Sequence, residues 1–272
     1  MSEVLEINHL MKAYPAFTLK DVSFTLEESH ILGLYGVEGA GKSTILKSVF
    51  HLVHPDAGEI RFFGLNPIDN ERLIRQRASF ACGGFSAFPN RKVSTIVKNL
   101  KRFYLNWDDE EYDKYCAYFR LEPDKTVAQL SDVMRVKLNL ILAMAHRSKV
   151  LVLDDPTAKL DPVSRDEITD AFWYLKKKGV SILFSTTQAS DIERCADDIV
   201  YLRAGAVVAS EPVKDFIVFH MHLGFGEKLG DILQQYEKED FREKLEKLEQ
   251  YKQHKEQLES AGKEAQPAGA AS

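Results

Sequence analysis

One glycine-rich stretch, residues 36–44, holds the residue types best suited to chemistry in this chain. Its sequence, Gly-Val-Glu-Gly-Ala-Gly-Lys-Ser-Thr, fits the phosphate-binding pattern G-x-x-x-x-G-K-[ST]. Glycines lack a Cβ, so consecutive backbone N–H groups can surround an anion there, and a helix that starts at this point adds partial positive charge. Lys42 would then contact the β- and γ-phosphates of a nucleotide, and the Ser43 hydroxyl would bind Mg²⁺.

The surroundings of this stretch favour a phosphate site over a simple turn. The apolar run 30–35 precedes it and predicts a strand, and apolar residues at helical spacing follow it. A tight strand-to-helix turn would also use glycine, but it needs neither the lysine nor the hydroxyl groups. The predicted nucleotide-binding residues are Gly36, Val37, Glu38, Gly39, Ala40, Gly41, Lys42, Ser43 and Thr44.

Two adjacent carboxylates, Asp154 and Asp155, form the second candidate centre. They follow the apolar run 150–153, which is typical of a central parallel strand. Ligands of open α/β sheets bind at the carboxyl ends of the strands, where an acid can coordinate Mg²⁺ beside a phosphate loop. A solvated turn is the alternative, and the apolar run before the pair counts against it. We therefore predict Ser43 and Asp154 as the metal ligands.

Apolar patterning predicts the strands and helices that position these residues. Predicted strands cover residues 4–10, 17–26, 30–35, 59–63, 78–82, 150–153 and 180–184, with a small hairpin at 199–202 and 207–210. A helical insertion from about Phe85 to Arg147 separates the phosphate stretch from the strand that ends at Asp154. Tyr14 lies between the first two strands, where it could either stack on a nucleobase or serve as an ordinary amphipathic loop residue.

The C-terminal part has a different composition. Residues 227–259 are dense in Glu and Lys at spacings of three or four, which favours an exposed helix. Lys252 and Lys255 interrupt the apolar positions, which argues against a long coiled coil. The chain is thus predicted to comprise a nucleotide-binding domain at 1–222, a charged helical extension at 223–259 and a disordered tail at 260–272.

The overall composition and net charge are typical of an ordinary water-soluble protein. Its 272 residues are 44% hydrophobic and 28% charged, and the formal net charge of −5 argues against a nucleic-acid binder that relies on a general basic field. No apolar run approaches the ~20 residues needed to span a bilayer, and the acidic start lacks the features of a secretory signal. The three cysteines have no metal-ligand spacing. These features predict a cytosolic protein.

Over residues 4–219 the chain resembles the nucleotide-binding subunits of ATP-binding-cassette transporters. The matching elements occur in family order: Tyr14 as the base-stacking aromatic, residues 36–44 as Walker A, Leu130-Ser131 at the signature position, residues 150–154 as Walker B, and Leu160-Asp161-Pro162 as the D-loop. The resemblance implies an α/β fold: a P-loop NTPase core with a mixed sheet, an antiparallel β subdomain and an inserted α-helical subdomain, here with a C-terminal helical extension. It also implies an ATPase that uses ATP and Mg²⁺.

The chain departs from the family pattern at the positions that support hydrolysis. Gly83 stands where the loop glutamine is expected, and Asp155 replaces the general-base glutamate with a side chain one methylene shorter. Thr187 replaces the switch histidine. Val133 replaces the signature glycine, within a trans contact formed by Ser131, Asp132 and Val133. A misplacement near 1 Å can cost roughly a hundredfold in rate, so we expect ATP binding with slow or absent hydrolysis in the isolated chain.

The resemblance also implies partners. Members of the family pair two nucleotide-binding domains around two ATP molecules and drive a membrane permease. Because defects lie on both sides of the shared sites, we expect a heterodimer with a consensus ATP-binding subunit, although a homodimer is possible. Residues 104–108 and Met134-Arg135 resemble the Gram-positive subgroup paired with ABC-2-type permeases, which implies an exporter, peripheral on the inner face of the cell membrane.

Two other classes of function compete with a transporter subunit. A non-hydrolysing regulatory ATP-binding module would share the phosphate stretch without any transport role. A GTPase or small-molecule kinase is disfavoured, because the sequence has no Asn-Lys-x-Asp motif and carries Leu130-Ser131 before a predicted helix.

Overall fold

The computed structural model describes residues 2–238, with side chains through residue 236. Within those residues the chain divides into two units, one that ends at Phe219 and one that begins at His220. The first unit contains helices and two sheets, one of them mixed and one antiparallel, which confirms the predicted α/β class.

Nine strands form the two sheets of the first unit within the described residues. They are β1 (Glu3–Tyr14), β2 (Phe17–Glu27), β3 (Ile31–Tyr35), β4 (Ala57–Phe62), β5 (Ala78–Cys82), β6 (Val150–Asp154), β7 (Ser181–Thr186), β8 (Asp198–Arg203) and β9 (Ala206–Pro212). The antiparallel sheet has the order β2-β1-β4, and the mixed sheet has the order β5-β6-β7-β3-β8-β9. In the mixed sheet β5, β6, β7, β3 and β8 run parallel, and β9 pairs antiparallel with β8.

The central parallel strands bring the candidate residues to one edge. Every residue of β3, β6 and β7 is buried, and this explains why their sequences are almost continuously apolar. Tyr35 lies opposite Thr186, and Cys82 lies opposite Asp154, so the strands end level with one another. Segments that follow these ends therefore meet at the carboxyl edge of the sheet, where ligands of open α/β sheets bind.

The helices of the described chain complete the layers. They are α1 (Lys42–Val49), α2 (Glu71–Arg77), α3 (Val93–Leu100), α4 (Asp109–Phe119), α5 (Asp132–Ala145), α6 (Pro162–Lys177), α7 (Ala189–Cys195), α8 (Val213–His222) and α9 (Leu229–Lys238). The segment between β5 and β6 holds α3, α4 and α5, within the insertion predicted at about 85–147.

Side-chain caps fix where several helices begin. Asp108 caps α4 by accepting a hydrogen bond from the Glu111 N–H at 3.0 Å. Asp161 caps α6 by accepting from Val163 and Ser164 N–H groups, and Pro162 occupies the first turn, where it needs no N–H partner. Such caps are typically worth about 1 kcal/mol each.

Apolar side chains from α1 and the antiparallel sheet share one core cluster. Ile45, Leu46 and Val49 of α1 are inaccessible to solvent, as are Ile7 and Phe62 of the sheet. Burying an aliphatic side chain of this size contributes roughly 1.5–3 kcal/mol relative to leaving it exposed. The cluster therefore anchors the helix whose first turn carries Lys42 and Ser43.

Two helices and part of one strand were not predicted from the sequence. No helix was predicted at α7 or α8, and β1 continues to Tyr14 instead of ending near Leu10. In the second unit, α9 falls inside the predicted charged extension at 223–259. The rest of that extension and the predicted tail at 260–272 lie outside the described residues.

None of the helices within residues 2–238 is long and apolar enough to cross a membrane.

Candidate nucleotide site

The glycine-rich loop lies between β3 and α1, as its pattern predicts. Gly41 is the N-cap of α1 with φ 109°, a left-handed conformation that residues with a Cβ rarely adopt. A Cβ on Gly41 would also lie 2.6 Å from the ring of Phe17, and one on Gly36 would lie 2.5 Å from the Leu202 carbonyl oxygen. The loop therefore requires glycine at both positions for steric reasons.

Lys42 is held inside the loop. Its Nζ donates to the carbonyl oxygens of Gly36 at 2.6 Å and Val37 at 3.0 Å, and its side chain is nearly buried. Burial lowers the pKa of Lys42, while the charges of Asp155, Asp154 and, least of all, Glu38 oppose that shift. Carbonyl groups compensate a buried cation only in part, so this ammonium group is well suited to an incoming phosphate.

Ser43 and Asp154, the two predicted metal ligands, lie next to each other at the end of β6. The Ser43 hydroxyl donates to Asp154 Oδ1 at 3.0 Å, and the Ser185 hydroxyl donates to the same oxygen at 2.8 Å. A carboxylate and a hydroxyl are hard oxygen ligands of the kind that Mg²⁺ binds beside nucleotide phosphates. The donor set therefore fits Mg²⁺. Ser185 was not predicted, because its place beside Asp154 depends on the pairing of β6 with β7.

Asp155 directly follows β6 in an unusual backbone conformation. Its φ is 51°, and its N–H donates to the Ser185 hydroxyl at 2.9 Å. Burial raises the pKa of Asp155, the positive charge of Lys42 works against that shift, and the negative charge of Asp154 adds to it. Asp adopts a left-handed φ more readily than most residues with a side chain, so the chain tolerates this turn better with Asp than with a bulkier residue.

A pocket of about 450 Å³ adjoins these groups. Its lining comprises Phe17, Glu38, Gly39, Ala40, Gly41, Lys42, Ser43, Thr44, Asp154, Asp155 and Thr187. Thr187, the residue directly after β7, contributes to this lining. Gly36 and Val37 instead accept the hydrogen bonds from Lys42 described above. The structure thus brings most of the predicted nucleotide, metal and hydrolysis residues to one cavity.

Phe17, which the sequence reading did not single out, is the aromatic residue of this pocket. Tyr14 pairs with Phe17 across the β1–β2 turn, and its ring lies 5.8 Å from Lys12 Nζ. Tyr14 is 40% exposed and is absent from the pocket lining. The contact between Phe17 and Gly41 is the feature that places an aromatic ring at this site, and no sequence pattern encodes it.

Asp191 is a further functional candidate that was missed. This α7 residue is 2% exposed, and it accepts hydrogen bonds from Thr157 at 2.7 Å and Thr186 at 2.8 Å. Arg165 lies 3.9 Å from its other oxygen. Asp191 thus links the segment after Asp155 to the strand end before Thr187, and its buried charge has both hydrogen-bond donors and a cation nearby.

The predicted trans-contact residues lie at the start of α5. Ser131 caps the helix by accepting from the Met134 N–H at 3.3 Å, and Asp132 pairs with Arg135 at 3.6 Å. A second pocket of about 340 Å³ is bordered by Asp132, by Gly83 and by both Asp154 and Asp155. Val133 is half-buried and does not line it.

Gly83 follows β5 with its N–H donating to the Asp154 carbonyl oxygen at 2.8 Å. Its own carbonyl accepts from the Asn139 side chain at 3.0 Å, and a Cβ added to it would meet no atom within 4 Å. Space is therefore available for a side chain here, although the φ of 56° disfavours one. Cys82, just before it, is exposed and lies 3.9 Å from Asp154.

Comparison with known proteins gives consistent matches. The family profile described as ABC transporter matches residues 19–158. The ABC transporter ATP-binding protein YtrB of Bacillus subtilis (strain 168) is 28% identical over 201 residues, which are 73% of this chain and 68% of YtrB. YxlF of the same organism, an uncharacterized ABC transporter ATP-binding protein, is 30% identical over 207 residues, or 75% of this chain and 69% of YxlF.

A solved structure described as the ATP binding subunit of an ABC transporter superposes with a TM-score of 0.76 at 25% identity. The match covers 86% of this chain and all of that structure's chain. Names among the other relatives include both export and import proteins.

Proposed function

Because the chain belongs to the ABC transporter family of ATP-binding subunits, we propose that it binds Mg-ATP at the carboxyl edge of its mixed sheet and drives a separate membrane permease. The observation that carries the proposal is the convergence of Lys42, Ser43 and Asp154 on one pocket of about 450 Å³. A cation, a hydroxyl and a carboxylate are the groups that a phosphate and its magnesium ion require.

Each residue has a part in holding the nucleotide. Lys42 would exchange its carbonyl partners for phosphate oxygens, and the loop N–H groups would surround the same anion. Ser43 and Asp154 would hold Mg²⁺, which supplies charge neutralisation for the phosphates. Phe17 and Tyr14 are the aromatic candidates for stacking on the base, with Phe17 already at the pocket.

Hydrolysis in the isolated chain is proposed to be slow. Asp155 and Thr187 reach the pocket, but both side chains are shorter than the glutamate and histidine of the family pattern. A misplacement of the attacking water by about 1 Å can lower the rate roughly a hundredfold. The raised pKa of Asp155 makes it a somewhat stronger base than an ordinary aspartate, which only partly offsets the shorter reach.

The partners follow from the same residues. A consensus ATP-binding subunit would supply an intact signature to the pocket of this chain, whereas a homodimer would place Ser131, Asp132 and Val133 across from Asp155 twice. We therefore favour a heterodimer. Residues 83–88 and the adjoining helices are proposed to dock on the permease, which would hold the chain at the inner face of the membrane. Export is the favoured direction, because residues 104–108 resemble the subgroup that is paired with ABC-2-type permeases.

Two measurements test this function. Mg-ATP binding by the purified chain should be saturable, and turnover should stay low until a consensus subunit and a permease are co-expressed. Turnover of the isolated chain equal to that of a consensus homologue would refute the hydrolysis proposal. Unchanged low turnover with permease and partner present would instead favour a regulatory ATP-binding module.

A further inference from the structure

A third cavity, of about 300 Å³, lies at the opposite edge of the mixed sheet. It adjoins the residues just before β6 and β7, at the amino ends of these parallel strands, whereas the nucleotide pocket is at the carboxyl ends. We refer to it as the amino-edge pocket. Residues of α4, of α5 and the turn after it, and of the segment between α6 and β7 line it.

Three separate segments bring four cations to the rim of this pocket. Lys114 comes from α4, Arg147 and Lys149 flank the turn between α5 and β6, and Lys178 follows α6. All four side chains belong to exposed residues. Four cations around one pocket stand out in a chain whose formal net charge is −5.

Neighbouring carboxylates neutralise only half of this charge. Lys114 pairs with Glu111 at 2.7 Å, and Arg147 pairs with Asp108 at 2.6 Å. Lys149 and Lys178 form no ion pair within residues 2–238. Glu3 and Glu28 border the adjacent cavity that Lys149 also lines, but neither lies within salt-bridge distance of Lys149. The four cations and the two carboxylates therefore leave the rim with a local net charge of +2.

The floor of the pocket is mostly apolar and firmly packed. Tyr115, Met144 and Val180 are all buried there, together with Ser148. The Ser148 hydroxyl already bonds within the protein, to the carbonyl oxygen of Val150 at 3.1 Å among others. The pocket thus combines a preformed floor that can contact carbon atoms with a charged rim, as small-molecule sites do.

We propose that the amino-edge pocket binds a small organic phosphate monoester. A monoester carries about −1.5 to −2 charges at neutral pH, which matches the uncompensated charge of the rim. Lys149 and Lys178 would contact the phosphate oxygens, and the organic part would lie on Tyr115 and Met144. The volume of about 300 Å³ is at the lower end of the roughly 300–1,000 Å³ typical of ligand pockets, which favours a ligand smaller than a nucleoside triphosphate.

The test measures binding of phenyl phosphate to the full chain by titration calorimetry. The background carries Lys42→Ala, so that phosphate binding at the nucleotide loop does not contribute and the outcome is independent of the proposed ATP site. Saturable binding is expected, and Lys149→Glu with Lys178→Glu should weaken it at least tenfold. Phenol, which has the ring without the charge, should not bind.

The matched control reverses two exposed lysines elsewhere, Lys20→Glu with Lys98→Glu, for the same change in net charge. It should leave the dissociation constant within twofold. Lys149→Gln with Lys178→Gln serves if the charge reversal prevents folding, as judged by circular dichroism. Absence of saturable binding, or equal losses in pocket and control variants, would overturn the proposal. So would pocket-dependent binding of an oligoglutamate peptide without binding of phenyl phosphate, which would assign the pocket to an acidic protein segment.

Discussion

The residues that hold phosphate and those that would position water are fixed in different ways, although they line one pocket. Lys42, Ser43 and Asp154 are each locked by hydrogen bonds to neighbouring groups. Thr187 is exposed, and the hydrogen bond that holds Asp155 in place is made by its backbone N–H and not by its carboxylate. Binding depends on fixed charges, whereas turnover also depends on the placement of a reacting atom. The first property can therefore survive after the second has been lost.

Removing the lysine should produce the largest effect. Lys42→Ala deletes the buried cation at the loop, and we expect Mg-ATP affinity to fall by about a hundredfold or more, since charge-assisted contacts to phosphate are the strongest of their kind. Equilibrium binding of a fluorescent ATP analogue measures this. Lys98→Ala, at an exposed position on α3, is the control and should bind normally.

Restoring the side chains of the family pattern at the water-positioning residues should raise turnover and leave phosphate binding largely unchanged. Asp155→Glu with Thr187→His should raise ATP turnover by roughly ten- to a hundredfold, because each longer side chain extends further toward the attacking water. Phosphate release by the purified chain is the measurement, and Asp155→Gln with Thr187→His is the control. An increase in ATP affinity without any increase in turnover would show that the two groups of residues do not divide as described.

Asp191 should affect geometry more than binding. Asp191→Asn leaves Thr157 and Thr186 without a charged acceptor, and we expect a loss of about 1–3 kcal/mol in the free energy of unfolding. Urea denaturation measures it. Because Asp191 does not line the nucleotide pocket, Mg-ATP affinity should change less than threefold. A large drop in affinity at full stability would assign Asp191 to binding.

The smallest effect should appear in the pH dependence of stability without nucleotide. Burial raises the folded-state pKa of Asp155, so its charged form destabilises the fold. The contribution of this carboxyl group to the free energy of unfolding is fully present below its unfolded-state pKa. It is lost as the pH rises through the folded-state pKa and the group becomes charged. Asp155→Asn should therefore raise the melting temperature slightly at pH 7.5. The gain should shrink near pH 4, as thermal melts at both pH values can show.

The parts of the site that depend on short sequence patterns were predictable. The strand, glycine loop and helix start around Lys42 follow from local periodicity, and Asp154 follows from the apolar run before it. Strand pairing determines that Ser185 reaches Asp154, and a hairpin contact determines that Phe17 meets Gly41. Neither the strand pairing nor the hairpin contact can be recognised from a local sequence pattern.

Helix α7 shows the same limit in the fold. Its seven residues, Ala189–Cys195, carry too few apolar positions to establish a helical period, yet Asp191 and Ile192 are buried there. The buried Asp191 is stabilised by two hydroxyl groups from other segments, and a sequence reading assigns an aspartate to solvent by default. Tertiary contacts therefore decide this element.

Cys82 provides a native reporter of what occupies the site. It is exposed, whereas Cys116 and Cys195 are buried, so an alkylating reagent should label one thiol first. Although part of Cys82 is accessible, its partial burial raises the pKa of the thiol, and the negative charge of Asp154 adds to that shift. A magnesium ion on Asp154 would cancel that charge, lower the pKa of the Cys82 thiol and so raise its labelling rate. The labelling rate at this one sulfur atom can therefore follow ligand arrival in the unmodified chain, without any introduced probe.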